Sequence, residues 1–309
     1  MSATTRSTAR RFRLEVAVPG RLTAAFLCAA WLIAGSEASA GEKEYAVKGM
    51  VVSVDVPAKL FVVSHEKIAG LMDAMTMPFE LRQASELRDI VPGAVVEFTL
   101  VVGETTSYAT RVTVRRYQTL EQDPATARRL SVMKRMAGLT TTSPVVIGSA
   151  VPDFSLIDQR RQRVTLSALS GKVVAVNFVY TRCALPQFCL RMSNNFAALQ
   201  KRFAKELGRD LVLMTITFDP EHDTPESLAS YASRWQANPA GWHFLTGSPA
   251  DIRRVCGFFG QEAFADEGLM NHSLHTVVIG RTGTLVANIE GNQFTPEQLG
   301  DLVAATLRR

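Results

Sequence analysis

"KVVAVNFVYTRCALPQFCLRM", residues 172–192, sets two thiols at the exit of a strand. After Lys172, residues 173–179 form an apolar run broken only by Asn177, the pattern of a strand covered on both faces. Beyond it, Met192, Phe196, Leu199, Phe203 and Leu207 recur at steps of three and four, which predicts an amphipathic helix. Cys183 therefore falls between a buried strand and the start of a helix. There the positive end of the helix dipole favours thiolate over thiol, and Arg182 acts in the same direction. Cys189 follows after five spacers that include Pro186. That is too many for the redox motif C-x-x-C, yet few enough for the two sulfurs to converge. Three chemistries stay open at this point: a plain disulfide staple, attack on a disulfide, and capture of a soft metal.

The elements around this stretch alternate. "VPDFSLIDQRRQRVTL" predicts a leading hairpin and "LVLMTITF" a second buried strand. Thr224 and Ser248 are N-caps followed by Pro225 and Pro249 at the first helical position. "HTVVIG" and "TLVANIE" predict two closing strands around "RTG", and Thr295 with Gln298 forms a capping box for a terminal helix. Strands alternating with helices from residue 147 to residue 309 define an α/β layer domain.

Residues 44–117 read differently. Val-rich runs in "YAVKGMVVSVDVPAKLFVVSHE", "GAVVEFTLVVG" and "YATRVTVRR" are short, closely spaced and separated by turns. They predict a small all-β barrel of the OB type, with "ASELRDI" as its one helical turn. Residues 118–146 are polar and contain threonines and a proline. They read as a linker with a helical piece around Ala125–Met136.

Residues 1–40 read as an export signal. A basic start precedes the apolar stretch Leu22–Ala34, and "SEASA" ends in the small-x-small pattern of Ala38 and Ala40. The stretch is shorter than the roughly 20 residues that span a bilayer, which favours cleavage after Ala40 over an uncleaved anchor. This places the mature chain in the periplasm, with membrane contact only through a partner or through such an anchor. The chain of 309 residues carries a formal charge of +5, of which residues 1–40 hold a net of +3. The remaining +2 gives no footing for nucleic acid. Export leaves Cys183, Cys189 and Cys256, and Cys256 in "ADIRRVCGFF" reads as a buried inert thiol.

A further ligand for the thiol pair has candidates in "GLMNHSLHTVVIG", where His272 and His275 precede a strand. Thiolate plus imidazole suits copper and zinc. The barrel has its own soft set in "SHEKIAGLMDAMTMPFEL". Met75 and Met77 are two apart and share one face of a strand. His65 lies on the preceding strand, with Met72 close by. Thioethers with an imidazole select Cu(I), although methionine also serves as core filler.

The second half of the chain resembles the Sco/SenC family, thioredoxin-like copper proteins that help assemble the copper centre of cytochrome c oxidase. The likeness rests on "VPDFSLIDQ", "VNFVYTRC", "NHS" and "FDPEHDTPESLASYA", the last through Asp219, Pro220, Asp223, Thr224 and Pro225. It implies that Cys183, Cys189 and His272 bind copper, as Cu(I) or as Cu(II). The spacing here is C-x5-C where the family has C-x-x-x-C, and Asn271 stands where the family has an acidic residue. "AMTMPF" resembles the CusF-like periplasmic copper-binding barrel, which implies that His65, Met75 and Met77 hold one Cu(I). Met72 occupies about the place of that family's tryptophan. Together the resemblances imply a copper chaperone whose partner is a copper-receiving protein such as an oxidase subunit. Two alternatives stand beside it: a thiol–disulfide oxidoreductase using Cys183 as nucleophile and Cys189 as resolving thiol, and a copper buffering or resistance protein.

Overall fold

A computed structural model describes residues 42–115, 132, 143–183, 185–266 and 269–309. The export segment read at residues 1–40 and most of the linker read at 118–146 lie outside the described residues. Gly41–Arg309 forms one compact unit.

Five antiparallel strands make the N-terminal sheet: β1 (Lys43–Asp55), β2 (Leu60–His65), β3 (Met75–Glu80), β4 (Val95–Val102) and β5 (Ser107–Val114), in the order β3-β2-β1-β4-β5. The two edges approach each other, because Leu81, just after β3, bridges to Ala109 on β5. Alternation along each strand sends Val47, Val51, Phe61, Val63, Phe79, Val96, Phe98 and Leu100 inward. The Phe61, Phe79 and Phe98 rings fill the centre, with Phe79 and Phe98 edge to face at 4.9 Å. Ala84–Leu87 supplies the one helical turn. This is the small all-β barrel that the Val-rich runs predict.

The second sheet has seven strands in the order β14-β13-β8-β9-β10-β6-β7. They are β6 (Ser155–Asp158), β7 (Arg163–Thr165), β8 (Val173–Val179), β9 (Leu211–Thr217), β10 (Trp242–Thr246), β13 (His275–Ile279) and β14 (Leu285–Glu290). Parallel β8 and β9 lie at the centre and are buried along their whole length, as their mostly apolar runs predict. Helices α1 (Arg191–Arg202), α2 (Pro225–Arg234) and α4 (Pro296–Leu307) bury Met192, Phe196, Leu199, Leu228, Leu299 and Leu302 against one face. Helix α3 (Pro249–Phe258) covers the other through Ile252, Val255 and Cys256. This is a thioredoxin-like α/β layer. Side-chain caps at Thr224 and Ser248 and the Thr295–Gln298 capping box start the last three helices as expected.

Two details differ from the sequence expectations. The apolar period through Leu207 outlasts α1, which ends at Arg202, because Phe203 and Leu207 stay packed on the core after the backbone has left the helix. His272 precedes β13 as expected but also ends a strand of its own, in the two-stranded antiparallel pair β11 (Ala263–Asp266) and β12 (Leu269–His272).

The barrel and the layer domain share a core. Met50 and Val95 of the barrel belong to the same apolar cluster as Ala287, Ile289, Phe294 and Leu299. Each of the larger of these side chains, removed from water, contributes about 1.5–3 kcal/mol. Gly93 sits at this seam, where an added Cβ would lie 2.9 Å from Ile289.

Candidate metal centres

In the layer domain, Cys183 lies at the end of the turn that leaves β8, and Cys189 lies in the wide helical turn Pro186–Leu190 that opens into α1. Both cysteines are free thiols, Cys189 fully buried and Cys183 half-buried. The two thiols act on each other's ionisation, and the pair is strongly asymmetric. The bond from Cys189 is the main cause that lowers Cys183 to about 5, against the opposing effect of burial. The same bond, together with burial, pushes Cys189 far above the usual thiol range. At neutral pH Cys183 is therefore the thiolate and Cys189 its donor. The Tyr180 hydroxyl completes the cluster. Burial and the neighbouring Cys183 charge push it up to about 12, so it stays protonated and can donate to the sulfur.

His272 stands beside this pair inside an aromatic surround. Phe218, Tyr180 and Phe188 lie 4.8, 5.8 and 6.0 Å from it, centroid to centroid. Burial lowers its pKa, which keeps the imidazole neutral. Nδ1 is 2.9 Å from the Ser273 carbonyl, an acceptor only, so the proton sits on Nδ1 and the Nε2 lone pair is left for a ligand. Among the described residues, no three His, Cys, Asp or Glu side chains already form a closed metal cluster. The thiol pair and His272 share one neighbourhood, and a bound ion would have to draw them together. His275 points elsewhere: its Nδ1 is 2.9 Å from Asn288 Oδ1.

The turn carrying Cys183 is held from "DPEHD". Asp223, fully buried, accepts the Thr181 amide at 3.1 Å and the hydroxyls of Thr181 and Thr217, both at 2.5 Å. Asp219 accepts Arg182 at 2.7 Å and contacts His222 Nδ1 at 2.8 Å. The sequence pattern alone gives the two aspartates no structural role. The available signal was an aspartate pair four apart, ahead of an N-cap and next to a buried strand.

In the barrel, His65 and Met75 are directly opposite each other in the β2–β3 register, and Val63 is opposite Met77. The two thioethers and the imidazole thus share one face, the face that also carries Phe61 and Phe79 into the interior. His65 is 2 % exposed and its ring meets Phe79 edge-on at 5.7 Å. Its Nδ1 lies 2.7 Å from the Glu66 carbonyl, which fixes the proton there, and its buried Nε2 has no partner. A buried acceptor with nothing to accept is costly, and a soft ion bonded to that nitrogen removes the cost. Met75 is 53 % exposed, while Met77 and Met72 are half-buried and line a groove of about 360 Å³ with Leu60, Leu71 and Tyr108. The residues present fit a soft metal ion.

Fold and sites together define a thioredoxin-like protein with a dithiol and a neighbouring imidazole, carrying a barrel with an imidazole–thioether set. Residues 147–308 match the family model described as SCO1/SenC, and the chain belongs to that family. Residues 44–114 match the model described as copper binding periplasmic protein CusF. The protein is thus a Sco-family copper-binding protein with a CusF-like copper-binding domain. It is 27% identical over 154 residues to the SCO1 protein homolog of Bacillus subtilis (strain 168), across 47% of this chain and 76% of that one. It is 27% identical over 160 residues to Protein sco1 of Schizosaccharomyces pombe, across 49% and 59%. Arabidopsis thaliana ScoI, solved with copper bound, aligns with a TM-score of 0.46 at 27% identity, covering 52% of this chain and all of that chain. Among the described residues, no helix is long and apolar enough to cross a membrane.

Proposed function

We propose that this chain is a periplasmic copper chaperone that holds Cu(I) at two places and delivers copper during assembly of a copper centre of cytochrome c oxidase. The barrel site uses His65, Met75 and Met77, with Met72 alongside. The thioredoxin-like site uses Cys183, Cys189 and His272, and its thiolates also suit Cu(II). The observation that carries this reading is the buried, unpartnered Nε2 of His65, a residue that shares one face of the β2–β3 strand pair with two thioethers. The test is anaerobic Cu(I) titration of the purified protein against a strong competing chelator. Two ions per chain are expected. Cys183→Ser/Cys189→Ser loses one and Met75→Leu/Met77→Leu the other. Full stoichiometry in both variants refutes the assignment.

The asymmetric thiol pair supports a second reading, reduction of a disulfide in an oxidase subunit. The Cys183 thiolate attacks one sulfur of the substrate, expelling the other as thiolate and forming a mixed disulfide. Cys189 then gives up its proton and displaces the substrate sulfur. The substrate gains two electrons and leaves as a dithiol, and Cys183–Cys189 becomes the disulfide. Turnover of a disulfide substrate by copper-free protein, lost in Cys183→Ser, distinguishes this reading from delivery. Copper buffering predicts intact metal binding at the methionines with dispensable cysteines.

A further inference from the structure

The outer face of the metal-bearing strand pair is fastened to the other domain. Ser64 and Thr76 are directly opposite each other in the β2–β3 register, one residue before His65 on β2 and between Met75 and Met77 on β3. Their hydroxyls therefore project away from the sulfur face. Both donate to one oxygen of Asp301 on α4, Oδ2, at 2.7 and 2.6 Å. The other oxygen, Oδ1, accepts Arg202 of α1 at 2.5 Å. Gln298, one turn earlier on α4, donates its Nε2 to the Ser64 carbonyl at 3.2 Å. A single carboxylate, itself anchored within the layer domain, thus ties the two strands across their width at the level of the metal ligands.

That level is where the strand pair has least support of its own. β3 is an edge strand, Met75 is its first residue, and Pro78 within it has no amide hydrogen for the ladder. Strand ends at a sheet edge open at low cost in free energy. A site built from one ligand on β2 and two on β3 loses its geometry when β3 shifts, because metal affinity depends on how far the ligands are already in place.

We propose that Asp301 is a positioning residue for the barrel's metal site: by bridging Ser64 and Thr76 it holds β3 against β2, so that the α4 helix of the thioredoxin-like domain sets the Cu(I) affinity of the barrel. This rests on the reading of His65, Met75 and Met77 as ligands. Thermodynamic reciprocity requires that Cu(I) in the barrel tighten the contact between the domains by the same factor.

The test is Cu(I) competition on the full chain carrying Cys183→Ser/Cys189→Ser, so that the barrel alone reports. Asp301→Ala is expected to weaken Cu(I) binding about 10-fold, equal to about 1.4 kcal/mol. Ser64→Ala/Thr76→Val approaches the same bridge from the barrel side and is expected to do the same. The two changes combined should cost no more than either alone, since they remove one interaction. Asp301→Asn keeps a carbonyl oxygen for the two hydroxyls and should recover most of the affinity. Unchanged affinity in both Asp301→Ala and Ser64→Ala/Thr76→Val, with His65→Ala abolishing binding, overturns the positioning role and leaves the ligand assignment standing. Undiminished binding in His65→Ala/Met75→Leu/Met77→Leu removes the ligand assignment itself, and the role of Asp301 with it.

Discussion

His65 and Met75 face each other across neighbouring antiparallel strands, and the imidazole keeps a buried nitrogen that bonds to nothing. Directly opposed residues have Cβ atoms about 4.5–5.5 Å apart, so one ion can reach both side chains. The barrel thus keeps an unsatisfied buried acceptor, a stability cost tolerated where a ligand is to bind.

A substitution that fills the His65 site without a nitrogen should separate binding from folding. His65→Leu is expected to lose Cu(I) at the barrel, while metal-free stability changes by less than about 1 kcal/mol. The lost Nδ1 bond to Glu66 is offset by removal of the unpaired Nε2. Denaturant unfolding of the metal-free protein checks the second half, and chelator competition the first.

Cys183 should react as a thiolate well below the pH of an ordinary cysteine. With its pKa lowered to about 5 mainly by the Cys189 hydrogen bond, its alkylation rate should reach half its plateau near pH 5. Cys189→Ala removes the donor and should move the midpoint up towards the ordinary value of about 8.5. The check is a rate profile with iodoacetamide, read by mass at Cys183. A midpoint indifferent to Cys189→Ala would mean that the hydrogen bond does not set the reactivity.

Asp223 carries a distinct pH signature. Burial is the largest influence and raises its pKa above its ordinary value of 3.8, despite the bonds from Thr181 and Thr217. The folded state then binds the proton more tightly than the unfolded chain does. This contribution is present below about pH 4 and is lost as the pH rises through the folded pKa. Asp223→Asn should remove that loss, seen as a smaller fall in denaturant stability above pH 4 than in the unmodified protein. Asp223→Ala, which strands an amide and two hydroxyls, should cost ~3 kcal/mol.

Gly49 should be irreplaceable. It pairs with His65 in the β1–β2 register, and an added Cβ would lie 2.5 Å from the Ser64 carbonyl oxygen and 2.8 Å from the His65 Cα. These are backbone atoms that cannot step aside. Gly49→Ala is expected to destabilise the protein by at least ~2 kcal/mol and to weaken Cu(I) binding at the barrel, both measurable on the same preparation.

Much of this was legible in the chain itself. The β8 and β9 runs announce central strands because both faces of a parallel strand are apolar. Thr224, Ser248 and Thr295 mark helix starts because capping is settled within four residues. The pairing of Met75 with Met77 on one face follows from the two-residue repeat of a strand. His272 was identified, but its place at the end of β12 was not, since that short strand has no periodicity of its own to read. Asp219 and Asp223 were visible as a motif, while their grip on Thr181 and Arg182 joins residues about 40 positions apart.

By itself, the sequence determined the two kinds of element pattern and the sulfur and imidazole inventory, all encoded over a few neighbouring residues. Only the tertiary structure decided that Cys189 donates to Cys183, that the His65 Nε2 is left bare, and that Asp301 reaches Ser64 across 237 positions of chain. The reason is physical: local patterns fix backbone conformation, whereas hydrogen-bond partners and pKa values depend on which faces burial forces together.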